Sequence, residues 1–152
     1  MSRGIFSSVQ KIIDMIEAIT PKTESYHGFV CVNDGAGISS GFTNSNQNRF
    51  FQLNFRALPV DDGQAGISGR KRITMTFESR YETPNDTAYL MKLIAEDSSL
   101  LIDTLKGPEY DFNTTGIYSL IPDQAELQNL DKDGMTVGYI LTIPFDLLYM
   151  EE

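Results

Sequence analysis

Met135–Met150 reads MTVGYILTIPFDLLYM. Tyr139, Leu141, Ile143, Phe145, Leu147 and Tyr149 recur at every second position, the repeat that lines one face of a β-strand. Ile140, Thr142, Pro144, Asp146 and Leu148 fall between them. Several of these outward positions are themselves apolar, so the strand is expected to be covered on both faces, with another subunit as the second cover of a single sheet. Pro144 has no amide hydrogen to give to a ladder, which predicts an edge position or a bulge halfway along.

Two earlier stretches share the same alternation. In FFQLNFRAL (Phe50–Leu58), Phe51, Leu53, Phe55 and Ala57 point one way and Gln52, Asn54 and Arg56 the other. In RITMTFESRY (Arg72–Tyr81), Ile73, Met75 and Phe77 point inward and Thr74, Thr76 and Glu78 outward. PVDDGQAGISGRK (Pro59–Lys71) joins them and is too long for a tight turn, which predicts a projecting, glycine-bearing arm. The predicted core comprises Phe51, Leu53, Phe55, Ile73, Met75, Phe77, Leu141, Ile143 and Phe145. A further short strand is expected over Tyr26–Val32 and another at Ile117–Ile121. Between the latter and the 135–150 strand, PDQAELQNLDKDG (Pro122–Gly134) reads as a turn-rich connection ending in a good turn signal at Asp133-Gly134.

Two helices back these strands. Over Gly4–Ile19, Ile5, Val9, Ile12, Ile13, Ile16 and Ile19 form one apolar stripe, with Ser7, Lys11, Asp14 and Glu17 toward water. Thr20-Pro21 stops it. TPNDTAYLMKLIAEDSSLLIDTLKG (Thr83–Gly107) offers Thr83 as N-cap, Pro84 at the first helical position, Asp86 at the positive end and Gly107-Pro108 as a stop. Ala88, Met91, Ile94, Ala95, Leu101, Ile102 and Leu105 are assigned to its packed side, and Asp97-Ser98-Ser99 marks a place for a bend. The expected fold class is α+β: one antiparallel or mixed sheet backed by two helices, with a long projecting β-hairpin, in a single domain spanning residues 1–152.

Composition narrows the function. Twelve Lys plus Arg against 21 Asp plus Glu give a net charge of −9, which disfavours general affinity for nucleic acid or anionic membrane. No stretch reaches the roughly 20 apolar residues of a membrane span, and the amino terminus lacks the unbroken apolar run of a secretion signal, so a soluble, cytoplasmically made chain is expected. The lone Cys31 reads as a small packed hydrophobe. The lone His27 has no nucleophile or metal-ligand spacing beside it, and scattered acids such as Asp61-Asp62 and Glu96-Asp97 read as solvated charge rather than a glycosidase pair. GAGISSG and GQAGISG lack the Lys-Ser/Thr ending of a phosphate loop. No enzyme activity, metal or cofactor is expected.

Charge is unevenly spread. Arg49–Arg80 holds six basic residues and three acids, 6 − 3 = +3, whereas Tyr81 onward holds three and fourteen, 3 − 14 = −11. Opposite patches on one small protein suit head-to-tail assembly, and such contacts form a ring when they close.

The order helix, strand, long hairpin, helix, final strand resembles the tail terminator (tail completion) proteins of long-tailed bacteriophages. FSSVQKIIDMIEAI, FFQLNFRAL with RKRITMTFESRY, TAYLMKLIAEDSSLLIDTL and GYILTIPFDLLYMEE carry the resemblance over most of the chain. It implies a sheet backed by helices and a homohexameric ring that caps the tail tube and meets the head-side connector protein, in the neck of a virion assembled in the host cytoplasm. By the same resemblance, Arg70, Lys71 and Arg72 contact a neighbouring subunit or the lumen. Glu96, Asp97 and Asp103, as exposed acids, supply complementary or lumen-facing charge, past which DNA slides without specific binding. The alternatives are a head–tail connector or stopper ring protein, and a small ligand-binding module outside phages.

Overall fold

A computed structural model describes residues 3–22, 28–32, 48–61, 69–82, 87–107 and 112–151. The expectations for His27, the Gly35–Gly41 loop, Asp62 and the 62–68 arm, and Thr83, Pro84, Asp86 and Pro108 lie outside these residues. Among the described residues the architecture is α+β, with one mixed seven-stranded sheet and three helices. In chain order these are α1 (Ile5–Glu17), β1 (Val30–Cys31), β2 (Phe50–Phe55), β3 (Val60–Asp61), β4 (Arg70–Glu82), α2 (Thr87–Lys106), α3 (Phe112–Thr115), β5 (Ile117–Pro122), β6 (Glu126–Lys132) and β7 (Met135–Met150).

The centre is the antiparallel pair β4–β7, in unbroken register from Arg70 opposite Met150 to Glu82 opposite Gly138. The path across the sheet is β1-β2-β4-β7-β5, with β3 on β4 and β6 on β7. Among the described strands, only β1–β2 is parallel. β2 and β4 pair antiparallel from Phe51–Ser79 to Phe55–Met75. Of the arm expected over Pro59–Lys71, both ends belong to the sheet, Val60 and Asp61 pairing with Arg72 and Lys71, and residues 62–68 lie outside the described residues.

Pro144 corrects one expectation. It lies neither on an outer strand nor at a bulge in β7's ladder with β4, but where β7 exchanges one neighbour for another. β5 pairs with Phe145–Tyr149 and β6 with Met135–Thr142. The Pro144 carbonyl accepts from the Asp123 N–H at 2.8 Å. In an extended strand a residue's N–H and C=O point to the same neighbour, so the missing donor faces the junction between β5 and β6.

Inward alternation builds the core. Ile73, Met75, Phe77 and Tyr81 of β4 and Leu141 to Tyr149 at odd positions of β7 are buried, and α2 packs against β4, β5 and β7. Phe77 stacks on Phe51 with centroids 5.2 Å apart and meets Phe29 edge-on at 6.3 Å. α1 packs on α2, α3 and β1, burying Ile12 and Ile16. Its start is fixed by polar ties: the Ser7 and Ser8 hydroxyls both donate to the Thr115 carbonyl at 2.9 Å.

Of the nine predicted core residues, eight are buried, and Phe55 is 52 % exposed. Its register is inward, but at the end of β2 it borders the apolar recess along α1 and is not sealed by it: alternation fixes the side a residue faces, not how fully that side is covered. Gln52, on the opposite side of β2, is also buried. α2 runs unbroken through Asp97-Ser98-Ser99, and its packed stripe is Leu90, Leu93, Ile94, Asp97, Leu101 and Leu105. Ala88, Met91 and Ala95, assigned to that stripe from the sequence, are exposed.

Candidate functional site

The most ordered polar arrangement lies inside the protein. Arg49 immediately precedes β2, Tyr81 stands at the last inward position of β4, and Asp97 occupies the middle of the α2 stripe. The Arg49 guanidinium grips the Asp97 carboxylate at two points, Nε to Oδ2 at 2.8 Å and Nη2 to Oδ1 at 3.0 Å. The Tyr81 hydroxyl donates to the same Oδ2 at 2.8 Å. Arg49 and Asp97 side chains are each only 1 % exposed, and Tyr81 is sealed.

This corrects the assignment of Asp97 to the exposed acids. A carboxylate without partners would be very costly in that position, and here both its oxygens are matched by a bidentate cation. Burial alone would lower the Arg49 pKa, but the hydrogen bond and charge of Asp97 outweigh it and leave it raised. Burial first, and the Asp97 charge second, push the Tyr81 phenol well above its ordinary range. Arg49 pays for its place in backbone conformation, with φ 71°. It is held there by the ion pair and by the Val30 N–H, which donates to its carbonyl at 3.1 Å. The neighbouring Asn48 side chain accepts from the Glu82 N–H at 3.0 Å. The cluster therefore ties the start of β2, the end of β4 and the middle of α2 together. An acid within the apolar series Leu90, Leu93, Ile94, Asp97, Leu101 was the sequence signal for it.

The surface holds the remaining candidates. Glu96 and Asp103 are exposed on α2, seven residues apart and so on one outward side. The three basic residues at the start of β4 are dissimilar. Arg70 is half-buried with its guanidinium 4.9 Å from the Tyr118 ring centroid. Lys71 pairs with Asp61 across β3–β4, which raises its pKa. Arg72 is exposed.

Two recesses flank this region, each of about 300 Å³. One is apolar and runs along α1, lined by Ile5, Phe6, Val9, Gln10, Ile13 and Phe55. Phe6 at its rim is 84 % exposed, and Leu58 and Val60, near Phe55 in sequence, are 80 % and 50 % exposed. The other lies on the face away from the helices, at the junction beside Pro144. Arg56, Asp123, Glu126 and Asp146 are among its lining residues, and the Thr74 hydroxyl donates to Asp146 at 2.9 Å. Among the described residues, no three His, Cys, Asp or Glu side chains converge as metal ligands, and no helix is long and apolar enough to cross a membrane. Cys31 is half-buried at the edge of the core. Comparison with known proteins finds no family model that matches the chain and no significant match among curated proteins.

Proposed function

We propose that this chain is a virion structural protein that forms a ring at the head-proximal end of a phage tail tube, ending tail polymerisation and joining the tail to the head-side connector. The observation that carries the reading is surface left uncovered by a single copy. The helices cover one face of the sheet, and Phe6, Phe55, Leu58 and Val60 expose large apolar side chains, with exposed Arg56 just after β2 and exposed Arg72 on β4. Exposed apolar groups of this size next to charge are what a contact between subunits buries. The uneven charge, +3 against −11, supports heterologous contacts between copies, and the order of elements supports the terminator class.

The test uses purified tail-tube subunits that polymerise without limit. Added wild-type chain is expected to sediment with the tubes and halt their growth from one end, with a ring visible there by electron microscopy. Phe55→Ser with Leu58→Ser, and the triple reversal of Arg70, Lys71 and Arg72 to Glu, are expected to weaken ring closure while circular dichroism stays unchanged. A chain that remains monomeric with and without tubes overturns the proposal.

A further inference from the structure

β6 is the outermost strand on its side of the sheet, and six of its seven residues are exposed. No described strand pairs with its outer side. Such an edge is an open template for another strand, and the direction of its backbone groups follows from the bonds already described. The Arg56 N–H donates to the Thr74 carbonyl and Pro144 accepts from Asp123, so the even positions of β7 point away from β4. Thr142, Ile140 and Gly138 therefore bond to their partners Glu126, Gln128 and Leu130. The N–H and C=O groups of Leu127 and Asn129 point outward, and the register shift after Leu130 leaves Asp131 outward as well.

The sequence of that strand, ELQNLDK, is complementary to itself. We infer that β6 is a self-association edge, on which a second copy of this chain pairs antiparallel about a two-fold axis through Asn129. In that register Asn129 bonds to Asn129 of the second copy, and Leu127 to its Asp131, so every outward backbone group of the strand has a partner. Glu126 then lies directly opposite Lys132 of the second copy, on the same face, and the two-fold repeats the pair. Side chains at these two positions are exposed in the single chain. The Asp131 carboxylate is already engaged by the Thr136 hydroxyl at 2.9 Å, so it does not enter the contact as an unmatched charge.

The charges also choose the register. Sliding by one step of the ladder places Glu126 opposite Leu130 or opposite Gly134, and either slide leaves Lys132 facing a glutamine. Parity excludes the intermediate registers, because they would set outward groups against inward ones. The charged residues that would repel an arbitrary strand thus admit one partner, which is this strand itself. The inference is independent of the ring reading, since it rests on β6 alone.

Sedimentation equilibrium over a concentration series tests it, with circular dichroism as the folding control. The wild type is expected to form a dimer that weakens at high salt. Glu126→Lys sets Lys against Lys twice, and Lys132→Glu sets Glu against Glu twice, so each alone is expected to raise the dissociation constant about tenfold. An equimolar mixture of the two variants restores both opposite-charge pairs and is expected to dimerise as tightly as the wild type. Asn129→Pro removes a donor that points outward and is expected to abolish the dimer without unfolding the chain. A wild type that stays monomeric at its highest soluble concentration overturns the inference. So does association unchanged by either charge variant, or a mixture no tighter than its components. A ring that forms on tail tubes regardless of these substitutions would leave the proposed function standing and this edge excluded.

Discussion

The two faces of β4 differ although one strand supplies both. Toward the helices, Ile73, Met75, Phe77 and Tyr81 are sealed, and the Tyr81 hydroxyl is matched by Asp97. Away from the helices, Thr76 is buried, but Arg72 is exposed and Thr74, Glu78 and Arg80 are half-buried. The Arg80 and Glu82 side chains lie 3.2 Å apart there. On the first face, position is enforced by exclusion of water. On the second, the half-buried and exposed positions keep access to water, so a group there that loses its partner can be solvated. Equal chemical changes should therefore have unequal consequences, and the size of that inequality measures how far the open face is free to serve partners instead of stability.

The largest effects are expected on the helix face. Phe77→Ala leaves a cavity between Phe51 and Phe29 and should cost about 3–5 kcal/mol in chemical denaturation. Asp97→Ala strands a buried guanidinium and should cost about as much, 3–5 kcal/mol. Replacing the pair together, Arg49→Met with Asp97→Leu, should recover most of that loss. If the double variant is no better than Asp97→Ala, the cluster stabilises through more than mutual neutralisation.

Tyr81→Phe removes a hydrogen bond to a charged acceptor and should cost about 1.5–3 kcal/mol. It should also change the response to alkali. The folded-state pKa of Tyr81 is raised above the unfolded value of about 10. The stabilisation is thus complete below pH about 10 and is lost as pH rises toward the folded value, because the unfolded chain releases the proton first. Tyr149, shifted the same way by burial and by Glu151, keeps part of this slope in the variant. Denaturation midpoints between pH 8 and 11, roughly spanning that value, should fall less steeply for Tyr81→Phe than for wild type.

On the open face, Thr74→Val gives up the bond to Asp146 and should cost about 0.5–1.5 kcal/mol. Arg72→Glu should stay within about 0.5 kcal/mol of wild type in thermal or chemical denaturation. A loss of several kcal/mol at either position would mean that the open face contributes as much to stability as the covered one.

The long central strands and α1 were legible because their apolar residues repeat without interruption. An apolar stripe drawn through Ala88, Met91 and Ala95 misses the packed side of α2, because the middle of that side is filled by Asp97. No local pattern announces that Arg49, 48 positions away, will neutralise it. ELQNLDK reads as a connection because it has no β-branched or aromatic residue; the strand state of β6 comes from the long partner β7 and from the Asp133-Gly134 turn, whose φ angles of 54° and 77° suit a two-residue hairpin. The surface side of the problem was less legible still. Arg70, Lys71 and Arg72 are adjacent in sequence, but an aromatic ring, a carboxylate and water receive them separately.

The unbroken β4–β7 ladder has a consequence for how the chain reaches its native state. Its closest partners, Glu82 and Gly138, are 138 − 82 = 56 residues apart, and its most distant, Arg70 and Met150, are 150 − 70 = 80 apart. Each pairing must close a loop that contains all of α2, α3, β5 and β6, so the centre of the sheet depends on contacts far apart in the sequence. The β6–β7 hairpin, closed by two residues, forms on the microsecond scale by comparison. Refolding is accordingly expected to be slow for a chain of this size, on the scale of milliseconds to seconds, with the outermost hairpin assembled before the strand that completes the core.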